Sequence, residues 1–209
     1  MYRVVTVARE YGSGGGVIAD KLARRLGWEL IDNALIMGVA AAANVDADVC
    51  RECDERVDSW FHRINKQAFG RGVFERVGAG EVFDGDAMVQ LSRKIIQDAA
   101  DRGNAVIVGR AAQCILQGRR DAFHVFVYAP MDERIRRVRE AYGSAFATPA
   151  RIEEQDRIRS HYVHHYYRAQ WRDPHLYHAL FCSLIGEDEI VNMISRALGV
   201  PEESPLHAD

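Results

Sequence analysis

The chain has 209 residues, of which 48% are apolar and 27% charged, which suits a single α/β globular domain and excludes a disordered or fibrous polypeptide. A formal net charge of −3 gives no global basic field, so neither nucleic acid nor an anionic membrane surface is an expected partner. No apolar run approaches the roughly 18 residues needed to cross a bilayer, the first residues lack a signal-peptide core, and the four cysteines show no disulfide-framework spacing, so a cytoplasmic protein is expected.

In chain order, "YRVVTVA" (Tyr2 to Ala8) is a β-branched run ending near glycines and predicts a buried first strand. "VIADKLARRLGW" follows with Ile18, Leu22 and Leu26 at helical spacing and Gly27 as a C-cap. "ELIDNALI" predicts a second short strand ending near Asp32. Residues 38–88 mix an Ala-rich helical start with charged and Gly-rich stretches and predict helices and loops over one side of the sheet. A helix from Ala87 to Asp101 ends at Gly103; "NAVIVGR" and "FHVFVYAP" are two more buried-type strands, each followed by a helical segment. Pro149 suits the first turn of a later helix, and residues 201–209 predict a frayed tail. Strands alternating with helices predict a parallel sheet covered on both faces, in one domain over residues 1–200.

The strongest local signal is the loop between the first strand and helix, "REYGSGGGV". Backbone amides at a helix N-terminus face outward and carry the positive end of the helix dipole, and glycines let the chain turn sharply against an anion. Gly12, Ser13, Gly14, Gly15, Gly16 and Val17 are therefore the candidate phosphate-binding residues. Two known patterns compete. The dinucleotide fingerprint G-x-G-x-x-G starts at Gly12 and Gly14 but meets Val17 at its third glycine, with Asp32 at a spacing that suits a ribose. The P-loop pattern G-x-x-x-x-G-K-[ST] meets Gly15 at the lysine, with Arg9 at its first glycine. A glycine-rich turn without a ligand is the third reading.

Arginines cluster elsewhere. Arg110 ends "VIVG", at the carboxyl end of a strand where α/β folds bind ligands. Arg134 and Arg137 stand three apart on one side of the helix after "FVYAP". In "ATPARIEEQDRIRS", Asp156 and Arg159 share a helix face and Arg157 stands four after Glu153, a spacing that also fits ordinary surface ion pairs. Cys50 and Cys53 form a lone C-x-x-C without a second pair, and His161, His164 and His165 are neighbours in a Tyr-rich helix, so no protein metal site is expected from either. Tyr162, Tyr166 and Trp171 predict packing.

Several blocks together resemble the cytidylate kinase-like family, relatives of the cytidylate kinases that carry an R-x-Y-G-S-G-G loop without the lysine. They are "GSGGGVIADKLARRLG" with "ELIDNALI", then "AVIVGRAAQCIL", "HVFVYAPMDERIRRV", and finally "DRIRSHYVHHYYRAQWRDPHLYHALFCS", similar to the pattern D-x-x-R-x-x-Y…W-x-D-P-x-x-Y. Ala111 stands where cytidylate kinases follow G-R with aspartate. The resemblance implies a P-loop nucleoside monophosphate kinase fold, with ATP over the loop, Mg2+ bridging its phosphates, and a small-molecule nucleotide acceptor, CMP or dCMP foremost. Residues 38–88 would be the acceptor-binding region and 141–172 a lid. It implies Arg110 on the acceptor, and Arg134, Arg157 and Arg159 as cations at the phosphates; Asp32 is either a contact to the acceptor sugar or a helix N-cap. Arg9 is the candidate to replace the absent lysine, since a guanidinium at the loop's base can offer a phosphate two donors. A kinase of another small metabolite and a nucleotide-binding module without catalysis remain alternatives.

Overall fold

The computed structural model describes residues 1–36 and 86–200. Residues 38–85 of the expected acceptor region, with Cys50 and Cys53, and the tail 201–209 lie outside the described residues. The chain divides into two compact units, Met1–Ile31 with Ile96–Asp209, and Asp32–Ile95.

Five strands form one sheet: β1 (Val4–Arg9), β2 (Glu29–Ile31), β3 (Ala105–Val108), β4 (Ala122–Tyr128) and β5 (Ala179–Cys182). Their order is β2-β3-β1-β4-β5 and every pairing is parallel, as the alternating strand and helix signals require. The helices are α1 (Gly15–Leu26), α2 (Asp86–Arg102), α3 (Ala112–Ile115), α4 (Met131–Tyr142), α5 (Pro149–Tyr167) and α6 (Glu187–Ala197), and none in the described residues is long and apolar enough to cross a membrane.

The first strand runs one residue past the expected end, because Arg9 still pairs in register with Val127 of β4. Alternation then sorts the side chains. Val5 and Val7, with Val106, Val108, Val125 and Val127, pack beneath Ile18 and Leu22 of α1 and Ile190 and Ile194 of α6. Ala8 and Phe126 face the opposite layer, where they meet Val163 of α5, Trp171 and Tyr177. Burying both faces explains the nearly unbroken apolar strands.

Gly27 closes α1 in the left-handed conformation, its N–H and that of Trp28 returning to the last-turn carbonyls. Thr148 caps α5, accepting from Arg151 N, with Pro149 at the first helical position. Trp171 meets Phe126 edge-on at 5.3 Å between ring centroids, so it packs as expected, but from the turn beyond α5 rather than from a helical position. In the second unit, Asp32 Oδ1 accepts from Leu35 N at 2.8 Å, so this aspartate caps the short helix over residues 33–36.

Candidate active site

The parallel sheet directs all its strand ends one way, so the loops after β1, β3 and β4 gather at a single edge. The loop after β1 is Glu10–Gly14, and it enters α1 through Gly14 in the left-handed region with φ 84°. No side chain caps this helix and no acidic residue stands in its first turn. The positive end of this 12-residue helix thus has no cap of its own, and the acidic group beside it comes from α6, where Glu187 Oε1 would stand 3.4 Å from a Cβ on Gly14.

The loop's entry is bound on every side. Ser13 is fully buried; its one hydroxyl proton is shared between two carbonyl acceptors, Glu10 O at 2.9 Å and Val127 O at 3.1 Å. Tyr11 N donates to Asp156 Oδ1 at 2.8 Å. Gly12 sits at φ +79° with α4 so close that a Cβ would stand 2.9 Å from Arg134 O, so glycine is required on both counts.

Arg134 is 4% exposed, and each of its three guanidinium nitrogens is engaged by the protein itself. Its Nε donates to Tyr11 O at 2.7 Å, Nη1 pairs with Glu10 at 3.3 Å and Nη2 with Asp156 at 2.5 Å. Arg172 Nη2 bridges the same two carboxylates, at 2.8 Å from Glu10 and 3.2 Å from Asp156. Arg159 donates from Nη1 to Arg9 O at 2.8 Å, lies 3.8 Å from Asp156 and stacks over the Tyr11 ring. Burial works to lower its pKa and Asp156 opposes that. Arg157 differs from these: it is largely exposed and pairs with Glu154, one turn back, rather than with Glu153. The network of Glu10, Asp156, Arg134, Arg159 and Arg172 thus fastens the loop's first residues to α4, α5 and the turn beyond α5.

Arg9 takes the other face of the sheet. A Cβ built on Gly15 would stand 2.5 Å from Arg9 Cβ and 3.0 Å from its Cγ, so the arginine stem fills the volume that a side chain at 15 would need. The same side chain continues to Gly109 in the loop after β3, whose α-carbon faces the Arg9 guanidinium with no room for a Cβ. The position next to Gly15 is different. A Cβ on Gly16, where the P-loop pattern has its hydroxyl, would meet nothing within 4 Å. Lys21, the lysine nearest in sequence, is held by Glu187 and Asp188 at the start of α6.

Gly109, Arg110 and Ala111 are left-handed in succession, with φ 77°, 49° and 56°. Two of them are not glycine, a conformation that costs about 1–2 kcal/mol per residue and is held here by the bonds Gly109 N to Val7 O and Ala112 N to Gly109 O. The turn buries Arg110 to 9% exposure against the hydroxyl-bearing rings of Tyr162 and Tyr167, and burial lowers its pKa. Ala111 joins the apolar layer of Phe126, Val163 and Trp171.

Sequence reasoning missed Arg172, Glu10 and the Arg137–Ser183 contact beside the loop, because their partners lie far away along the chain. For a metal, the described residues offer little: they contain no group of three His, Cys, Asp or Glu side chains able to hold one. Glu10 and Asp156 are engaged by guanidiniums, and position 16 has no hydroxyl. They do not form a magnesium cage.

Residues 4–185 match the model of the cytidylate kinase-like family. No curated protein matches the chain. Among solved structures, an uncharacterized protein from Eubacterium ventriosum superposes with a TM-score of 0.68 at 20% identity, covering 95% of this chain and 99% of that one. A gluconokinase from Sinorhizobium meliloti reaches 0.53 at 14% identity, over 94% and 91% of the two chains. A sugar kinase from a Janibacter species reaches 0.51 at 13%, over 96% of each. The fold is that of the P-loop kinases.

Proposed function

The chain belongs to the cytidylate kinase-like family, and from that premise we propose that it transfers the terminal phosphoryl group of ATP to a nucleoside monophosphate, with CMP or dCMP as the acceptor. The observation that carries this reading is the course of Arg9, from Gly15 in the uncapped glycine loop to Gly109 beside Arg110. A cation spanning the two loops supports this reading, because phosphoryl transfer calls for a fixed positive charge at the transferring group.

The loop amides from Gly12 to Val17 would hold the donor phosphates, with Ser13 serving as the buried anchor. Arg9 supplies the charge that the lysine supplies elsewhere. Arg110 offers its fork to the acceptor phosphate, and Asp32, beyond capping its helix, would meet the acceptor sugar. An acceptor phosphate oxygen is already anionic, so no general base is needed. Arg157 closes over the phosphates from the lid region while Arg159, fixed on Arg9 O and beside Asp156, holds the base of that lid near them, and water exclusion there prevents futile ATP hydrolysis. Arg134, spent on Glu10 and Asp156, acts as a positioning residue in this scheme. Magnesium enters as part of the nucleotide substrate rather than on a cage of the described residues. The protein works in the cytoplasm and as one kinase domain over residues 1–200, with 38–88 receiving the acceptor.

One observation favours a second acceptor class. Ala111 is packed in an apolar layer where a cytidylate kinase has an aspartate, which removes a carboxylate that would recognise a base. A kinase of another small phosphate- or hydroxyl-bearing metabolite is the alternative. A coupled ADP-release assay over the nucleoside monophosphates and common hydroxyl metabolites tests both. ADP formation that depends on CMP or dCMP is expected; turnover only with a non-nucleotide acceptor selects the alternative, and ATP binding without any turnover makes the protein a binding module.

A further inference from the structure

A glycine-rich loop binds an anion only if its peptides face the right way. In a planar trans peptide the C=O and the following N–H point in opposite directions, so fixing one fixes the other. Gly12 and Gly14, both at positive φ, flank Ser13, and glycine tolerates either peptide orientation at small cost. Something other than local sterics must therefore choose the orientation of the Ser13–Gly14 peptide.

Arg137 of α4 meets that requirement. Its Nη1 donates to Ser13 O at 2.6 Å and to Ser183 Oγ at 2.9 Å, and its Nη2 reaches Ser183 O at 3.4 Å. Its Nε is fixed by Glu133 Oε1 at 2.7 Å, one turn earlier on the same helix. Hydrogen bonds from Arg136 first, and then from Arg137, hold Glu133 at a pKa of about 2, so this anchor stays ionised across the physiological range. Ser183, the far anchor, is 1% exposed. A Cβ on Gly14 would collide with Arg137 Nη1, so residue 14 must be glycine for the arginine to reach the carbonyl. Among the described residues no backbone carbonyl meets the Gly14 N–H, and the nearby carboxylate, Glu187 of α6, is paired with Lys21 at 3.1 Å.

We infer that Arg137 is a positioning residue for the donor nucleotide: by holding the Ser13 carbonyl outward it turns the Gly14 N–H into the loop, toward a phosphate oxygen. The inference rests on the phosphate-binding reading of the loop and adds a residue that the glycine pattern does not contain. It makes the loop's binding competence depend on α4 and on Ser183, at the end of β5. Lysine at 137 keeps the charge but cannot hold Glu133, Ser13 O and Ser183 at once.

The test is calorimetric binding of ATP and of inorganic tripolyphosphate, a base-free probe, to the full-length chain and its Arg137→Ala, Arg137→Lys and Ser183→Ala variants. Thermal stability and the Gly14 amide resonance are followed alongside. Arg137→Ala is expected to weaken both ligands by about tenfold, the worth of one good phosphate contact. It should also abolish most of the ligand-induced shift at Gly14 and leave the acceptor KM unchanged. Arg137→Lys and Ser183→Ala should fall between parent and alanine variant, and they carry the test if Arg137→Ala does not fold. Binding and Gly14 shifts equal to the parent in the folded variants would overturn the inference while leaving the loop a phosphate site. Equal weakening of donor and acceptor also overturns it, since that is general loss of structure. A parent that binds neither ATP nor tripolyphosphate removes the phosphate-binding reading itself, and this inference with it.

Discussion

The two ends of the glycine loop are built on opposite principles. At its entry nearly every polar group is consumed within the protein: Glu10 N donates to Val127 O, the Glu10 carboxylate takes Arg134 and Arg172, and Tyr11 gives its N–H to Asp156 and its carbonyl to Arg134. At its exit, Gly14 to Val17 have no capping side chain and no acidic neighbour in the first turn, and Arg137 holds the carbonyl that precedes them. One end is a frame and the other is an opening. The cations around this loop are therefore not interchangeable: Arg134, Arg159 and Arg172 hold its entry, and Arg137 holds the carbonyl at its exit.

The frame is the first place to break this contrast. Arg134→Met removes the cation from two carboxylates that are only 13% and 6% exposed. Leaving such charges buried without their partner costs about 3–5 kcal/mol, and Arg172, still bridging both, moves the loss toward the lower end. Urea unfolding should show this as a lower midpoint. A change below about 1 kcal/mol would mean that the apolar layers fix the loop and the network only decorates it.

Next comes the opening. Arg9→Ala should cost about 2–4 kcal/mol in transition-state stabilisation, the range for losing a charged contact at a transferring group. The loss would be read as a fall in kcat/KM for ATP. Restoring a lysine is harder than the P-loop pattern suggests. Gly15→Lys places its Cβ 2.5 Å from Arg9 Cβ, and alanine at 9 keeps that atom. Partial rescue is therefore expected from Arg9→Gly with Gly15→Lys, and not from Arg9→Ala with Gly15→Lys. Parental turnover of ATP in Arg9→Ala would reduce the loop to its backbone amides.

How much of this was legible in the sequence follows from the same contrast. The opening is local, and it could be read: β-branched strand, four glycines, amphipathic helix and the Gly27 cap all lie within one stretch and are where the pattern predicts them. Thr148 and Pro149 were equally legible, because a helix start is written in adjacent residues. The frame is not local. Arg134 and Arg137 share one side of α4 as their spacing predicts, yet one reaches Glu10 and Asp156 while the other reaches Ser13 and Ser183, and only the fold brings those partners together. β5 and α6 were also missed. β5 is a four-residue edge strand, Ala-Leu-Phe-Cys, and an apolar run that short cannot be told from a helical segment by periodicity.

A smaller effect separates two adjacent glycines of the exit. At Gly15 a Cβ would press on the Arg9 stem and stand 3.3 Å from Val127 Cβ, so Gly15→Ala should cost about 1–3 kcal/mol as an overpacked site. At Gly16 a Cβ meets open space within the first turn of α1, so Gly16→Ala should be neutral or gain about 0.4–1 kcal/mol by restricting the unfolded chain. Thermal unfolding of the two variants side by side checks the difference. Equal destabilisation would mean that Arg9 yields easily and does not exclude a side chain at 15.

The smallest structural effect is expected at Arg157, and there the contrast between frame and opening is sharpest. Its side chain is 76% exposed and pairs with Glu154 across one turn of α5, an arrangement worth less than about 0.5 kcal/mol in solvent. Arg159, two residues on, is fixed on Arg9 O and beside Asp156, so Arg159→Ala should lower stability and activity together. Arg157→Ala should leave the urea midpoint unchanged. If Arg157 is a lid cation it forms its functional contact only when the lid closes on nucleotide, so its loss should appear as a lower kcat or a higher KM for ATP in a protein of parental stability. Raising ionic strength should shrink the difference between parent and variant, because an exposed cation is screened far more than the buried pair on Arg134. Unchanged stability with unchanged kinetics at low salt would make Arg157 a solvated surface charge.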